Sequence, residues 1–499
     1  MEIVLENKKM PIYRETHHQI KTIQESAETV VPDVNEDIGK IASIQSTLTL
    51  KSKDIVNDGV SISGEANITV LYITETEDSV AHIKLSKSFS IQYEIPDIKQ
   101  DNTAQINLQL SNIEARVINP RKVSVTLEIC GELSCFSSEA IDELSLIPEE
   151  YSNVLKANNA AFEVMLPNSV CEKTFAINEQ FIFPAAKAEP NKIVFSKVNL
   201  NVTDSQHVGS KLIVKGTTNI SVCYTSNDAV HPIFTQFTSA FSQIIDTGCE
   251  SIDNCSYSLE LTSCYFDLLE TISGEHALDV ELHAVIQIVC RKKQKIQYIS
   301  DMYSNLMPLN MVFQDKTITD TSEIKYDRVS INEKLSVADE CEDILCVIPS
   351  ISQMGISDTT MRGTICFDII YKNKGGSISA VHRSINPEVK ELLPGSRLVS
   401  YKLNNMDIHP YESIVDVQCA LEYAYQSFTK LEYSRVDLVE MNEEQAYDTS
   451  AFPSVTMVRF NDETLWELAK TYHSSVEKIC ENNDMENLKA SFVMIPKES

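Results

Sequence analysis

A strand signature that recurs three times constrains this chain more than any other feature. The segments GEANITVLY (64–72), GTTNISVCY (216–224) and GTICFDIIY (363–371) each set a glycine eight residues before a tyrosine, with alternating apolar residues between. From Gly64 to Gly216 is 152 residues and from Gly216 to Gly363 is 147, so the period is that of a domain rather than of a short solenoid repeat. Period-two alternation predicts strands whose Val, Ile, Leu and Tyr side chains face a core. The flanking pieces keep one order. An apolar stretch precedes each signature (SIQSTLTLK from Ser43, VFSKVNLNV from Val194, EDILCVIPS from Glu342), and a second alternating run follows it (from Arg121, His276 and Ser413). Each unit therefore reads as an antiparallel β-sandwich or barrel, in a chain that is mainly β. A strand-start Gly marks a turn or bulge, and a strand-end Tyr buries its ring with its hydroxyl at the rim. Gly64, Tyr72, Gly216, Tyr224, Gly363 and Tyr371 are accordingly structural.

The length of 499 residues suits three or four domains of about 100–150 residues. The expected division is an N-terminal segment (1–29) of partly extended, partly helical character, β-units at 30–150, 160–305 and 318–435, an acidic linker at 436–453, and a terminal module at 454–499. A net charge of −30 repels phosphate backbones and anionic headgroups, which argues against nucleic acid as a partner. The opening residues lack the charged and apolar regions of a signal peptide, and no run reaches the roughly 18 apolar residues of a membrane span. A cytoplasmic chain without an integral membrane segment is expected. Thirteen cysteines, odd in number and scattered through strand-like segments, fit reduced, buried thiols.

At the C-terminus the period changes twice. TMVRF is a short strand, after which Leu465, Leu468, Ala469 and Tyr472 fall at helical spacing. Thr464 three residues before Glu467 predicts a capping box. Ser474 with Glu477 predicts the start of a second helix, whose inner face is Val476, Ile479 and Cys480. Asn482 and Asn483 are expected to stop it in the αL region, and SFVMIP closes the module as a strand.

The run NDETLWELAKTYHSSVEKICENND with the ending VMIP resembles the LysM family. The resemblance implies a shallow groove for N-acetylglucosamine-containing glycans, formed by Asp462, Glu463, Thr464 and Leu465 before the first helix and by Asp484, Met485, Glu486 and Asn487 after the second. Where the family has Gly-Asp this chain has Asp462-Glu463, and where it has Gly-Gln the chain has Ala490-Ser491. Losing glycine narrows the backbone conformations and the approach to a ligand, and the acidic rim suits a basic protein surface at least as well as a neutral sugar. Trp466, the one tryptophan, is expected to be half-buried packing.

With that tail placed, the VVPDVNEDIGKI opening and the Gly-to-Tyr strands resemble the SPOCS-domain spore proteins, the group that includes SipL and SpoVID. What the resemblance implies is a spore coat morphogenetic adaptor of the mother cell, acting at the forespore surface. Its partner would be the SpoIVA-type ATPase of the coat basement layer, with other coat proteins as further candidates. The alternative is a glycan-binding protein anchored to peptidoglycan through its LysM module. No phosphate-cradling GxxxxGK, GxGxxG, HExxH or GxSxG motif occurs, so no enzyme and no cofactor is expected. His17-His18 reads as a solvated pair, and Cys249 with Cys255 and Cys341 with Cys346 fall outside zinc-hook spacing.

Overall fold

The computed structural model describes every residue except 1, 77–78, 228–231, 272–273, 449–451, 460–462, 485–491 and 498–499. The architecture is mainly β, in antiparallel sheets. The three Gly-to-Tyr segments are the middle strands of three small sheets. Gly59–Thr74 lies between Ile38–Val56 and Val80–Glu94; Lys211–Thr225 lies between Lys192–Val208 and Ile233–Asp246; Thr360–Asn373 lies between Cys341–Ser357 and Ile378–Ile385. Each small sheet faces a second layer built on one long strand. Lys122–Leu146 pairs with Glu6–Val30 and Thr103–Asn119; His276–Ser304 pairs with Leu155–Ile182 and Asn254–Glu270; Ile414–Met441 pairs with Leu309–Thr321, Lys325–Ser336 and Ser396–Tyr411. An apolar core fills each two-layer body.

The alternation explains these strands, and the point where it breaks explains how the bodies join. Ala66, Ile68, Val70 and Tyr72 face the first core. Leu71, one position before the tyrosine, turns the other way and is buried with Cys223, Ile370, Phe195 and Ile348 where the three small sheets meet. The apolar residue preceding each tyrosine thus packs on the junction rather than on the core. Tyr72, Tyr224 and Tyr371 have fully buried rings. The first two hydroxyls donate to the carbonyls of Glu36 (3.0 Å) and Ala188 (3.1 Å); the third accepts from the Asp339 N–H (3.3 Å). Gly64 and Gly216 are directly opposite Phe89 and Phe241. A Cβ at Gly64 would strike the Phe89 ring and lie 2.7 Å from the Thr49 carbonyl oxygen. At Gly363 the covering group is instead the thioether of Met354, placed by a bulge between Ser352 and Gly355.

Polar contacts between the bodies satisfy backbone that the sheets leave free. The edge strand Thr103–Asn119 exchanges two hydrogen bonds at Ile106 with the buried amide of Gln287 (3.1 and 2.8 Å). Leu108 N–H donates to Glu260 at 3.1 Å, whose carboxyl burial pushes up to about 8. Asp368 accepts from Ser43 Oγ at 2.6 Å and pairs with His382 Nδ1 at 2.7 Å, a carboxylate contact that raises the imidazole to about 10. Arg397 holds both oxygens of Glu15 at 2.8 Å.

Two stretches differ from expectation. Residues of the N-terminal segment, expected to be partly helical, form the strands Glu2–Val4 and Glu6–Val30. Met10 and Ile12 are buried while Lys9 and Pro11 are exposed, a period-two pattern completed by a partner strand more than a hundred residues away. Residues 436–441 of the expected acidic linker are the end of the strand Ile414–Met441. Val436, Val439 and Met441 are buried against Ile3, Leu5 and Met302, while Glu440 is exposed; the acidic outer side chains mask an inward apolar row. His18, read as solvated, sits mid-strand with Nε2 2.8 Å from Glu132.

Candidate partner-binding module

The terminal residues run as strand (Val455–Arg459), helix α1 (Leu465–Thr471), helix α2 (Val476–Glu481) and strand (Phe492–Pro496), with the two strands paired antiparallel. Local chemistry sets both helix starts. Thr464 Oγ1 accepts from Glu467 N–H (3.2 Å) while the Glu467 carboxylate accepts from Thr464 N–H (2.7 Å), a complete capping box. The Thr464 amide holds the Glu467 carboxyl below its ordinary range. At α2 the cap is Ser475, accepting from Lys478 N–H at 3.4 Å, and not Ser474. Ser474 is buried; its carbonyl accepts from the Tyr303 hydroxyl (2.8 Å) and the Asn305 amide (3.1 Å), while its hydroxyl donates to the Pro496 carbonyl of the closing strand and is so taken from capping.

The left-handed residue is His473, φ 52°, between the helices. Asn482 ends α2 at φ −106°, ψ 6°, outside the αL region expected for it. Asn483 instead works through its side chain. Its amide donates to the carbonyls of Ile479 (2.7 Å) and Met494 (2.6 Å) and its Oδ1 accepts from Met494 N–H (2.7 Å), tying α2 to the closing strand.

Leu468, Ala469, Ile479, Val493 and Ile495 form the module's core, completed by Tyr303 from the long strand of the second body. Trp466 is half-buried at this contact. Its indole N–H donates to Asp301 Oδ2 (2.7 Å), and its ring meets Tyr303 edge-on at 4.8 Å between centroids. Lys470 Nζ reaches both Asp301 oxygens at 2.8 Å. Tyr447 and Phe452, from the linker, pack on the His473 ring at 4.5 and 4.4 Å. The module is docked on the second body rather than hung from a free tether.

Of the residues expected to line a groove, Glu463 and Thr464 are exposed and Leu465 half-buried at the start of α1, and Asp484 is exposed just past α2. Asp462, Met485, Glu486 and Asn487, with Ala490 and Ser491, lie outside the described residues. Sequence reasoning missed Asp301 and Tyr303, which carry no local motif.

It also missed a chamber of about 2010 Å³ between the three bodies. Its walls are the edge strands Ile38–Val56, Thr103–Asn119, Lys192–Val208, Asn254–Glu270, Cys341–Ser357 and Ser396–Tyr411. Each has a register irregularity against its sheet neighbour, a device that blunts edges against further pairing. The chamber is consequently bounded by interrupted edges, lined by polar and apolar side chains alike.

Among family models, that of the SipL SPOCS domain matches residues 37–118. The matched stretch covers the first small sheet with Gly64 and Tyr72, and the edge strand that follows it. A SPOCS domain in the first body associates the chain with sporulation. No curated protein and no solved structure matches. Among the described residues, no helix is long and apolar enough to cross a membrane.

Proposed function

We propose that this chain is a non-enzymatic spore coat morphogenetic adaptor of the mother cell, which binds the SpoIVA-type ATPase of the coat basement layer and helps place coat around the forespore. The observation that carries this reading is the SPOCS match over residues 37–118. In the same reading, the second and third bodies are further copies of that unit, each with a Gly-to-Tyr middle strand facing a layer built on one long strand. The terminal strand, helices and strand are a LysM-type module used for a protein partner. Its exposed Glu463 and Asp484, on a chain of net charge −30, favour a basic surface on that partner.

The glycan reading is weaker on one specific point. The indole N–H of Trp466 is already bonded to Asp301 and its ring packs against Tyr303, so Trp466 is committed to the docking contact rather than offered as a stacking platform. The proposal is tested in sporulating cells carrying a fluorescent coat ATPase. Deleting the gene for this chain should leave the label unable to surround the forespore, and unchanged encirclement would overturn the adaptor role.

A further inference from the structure

The second body holds a group of thiols that the adaptor reading does not use. Cys255 and Cys290 are directly opposite on adjacent antiparallel strands, and their sulfurs are 3.5 Å apart. Cys290 is fully buried in the second core, and Cys255 is half-buried at its margin. Directly opposed residues have Cα atoms about 4.5–5.5 Å apart, inside the roughly 4.4–6.8 Å that a disulfide spans. Cys171, on the strand flanking the other side, is opposite Ile288 and diagonal to Cys290. The Cys171 thiol also hydrogen-bonds Cys290, but from a diagonal position, where Cβ atoms lie farther apart than in a directly opposed pair, so closure of a disulfide favours Cys255 with Cys290.

We propose that Cys255 and Cys290 form a thiol–disulfide exchange site for a small-molecule disulfide, with Cys171 remaining a thiol beside them. Cys255 loses its proton and attacks one sulfur of the incoming disulfide, forming a mixed disulfide and releasing one small thiol. Cys290 then loses its proton and attacks the Cys255 sulfur, closing the protein disulfide and releasing the second small thiol. Two protein S–H groups are oxidised to one S–S bond, and the small disulfide is reduced to two thiols. The order follows from access and acidity. The Cys290 hydrogen bond holds both Cys255 and Cys171 below the ordinary thiol range, favouring the thiolate, and of the two only Cys255 is directly opposite Cys290. Burial of Cys223 and Cys346 at the junction pushes those thiols up, which makes them inert by comparison. The new bond would staple the edge strand Asn254–Glu270, which lines the chamber from Tyr257 to Leu261, to its long neighbour.

The test treats the folded full-length protein with oxidised glutathione, blocks the remaining thiols, and maps the peptides by mass. The expected product has Cys255 linked to Cys290 and Cys171 blocked as a free thiol. In Cys290→Ala the second step is impossible, so a glutathione adduct should accumulate at Cys255, many-fold above wild type. Cys255→Ser should abolish the linkage and leave Cys290 unmodified, which keeps the test decisive if Cys290→Ala fails to fold. A stable glutathione adduct at Cys255 in the wild type, a Cys171 linkage, or Cys255 reacting no faster than the half-buried Cys480 would overturn the proposal.

Discussion

The sheet bodies and the terminal module solve the same problem with different means. In the first body, side chains such as Ile62, Ile68, Tyr72, Ile91, Leu127 and Ile129 close a core among themselves. Among the described residues, the module has five fully buried apolar residues of its own and takes a sixth, Tyr303, from its neighbour. A unit of this size buries too little surface to be secure alone. Stability of the module and its position on the second body are therefore one property, and substitutions on the long strand His276–Ser304 reach a helix about 165 residues further along the chain (Asp301 to Trp466).

Tyr303→Ala tests this dependence and carries the largest expected effect. Removing a buried aromatic side chain costs about 3–5 kcal/mol, here borne by the module. Trp466 is the one tryptophan, so its fluorescence should report a separate, earlier unfolding transition; a single unshifted transition would break the comparison. Gly64→Ala probes the self-sufficient side. The added methyl meets the Phe89 ring and rigid backbone at Thr49, and overpacking of this kind costs about 1–3 kcal/mol. Gly363→Ala meets the flexible Met354 thioether most closely, with the Met354 Cα farther off at 3.3 Å, and should cost less. Equal melting temperatures for the two variants would show that the aromatic cover is not what demands glycine. Thr464→Ala removes the α1 cap and should cost about 1 kcal/mol, again seen at Trp466 and not in far-ultraviolet signals from the sheets.

The smallest effect concerns His382, which is partly exposed and so screened by solvent. Asp368 raises its pKa to about 10, above the ordinary value near 6.5. Its contribution is complete below about pH 6.5 and is lost as pH rises through about 10. Wild type should lose more thermal stability over that window than His382→Gln, and parallel pH profiles would remove the ion pair from the account.

What the sequence made legible follows the range of each interaction. The Gly-to-Tyr strands and their flanking runs could be read because alternation is local. The Thr464–Glu467 capping box could be read for the same reason, both partners lying within one turn. Glu6–Val30 could not, since its register is set by Lys122–Leu146, and its polar outer residues imitated a mixed segment. Ser474 reads as a cap because its spacing to Glu477 allows one; the Pro496 carbonyl of the closing strand, which its hydroxyl bonds, decides otherwise. Val436 to Met441 was hidden by acidic neighbours, and the chamber by the absence of any motif for an edge. The expected groove is legible only as a resemblance; of its residues, Glu463, Thr464, Leu465 and Asp484 lie among the described ones.

The most direct test of the adaptor account is a binding titration of the purified full-length chain against the purified SpoIVA-type ATPase, at low and high salt. The account predicts saturable binding that salt weakens and that Glu463→Lys with Asp484→Lys weakens further. No binding to the ATPase, together with a Trp466 fluorescence shift on adding N-acetylglucosamine oligomers, would contradict it.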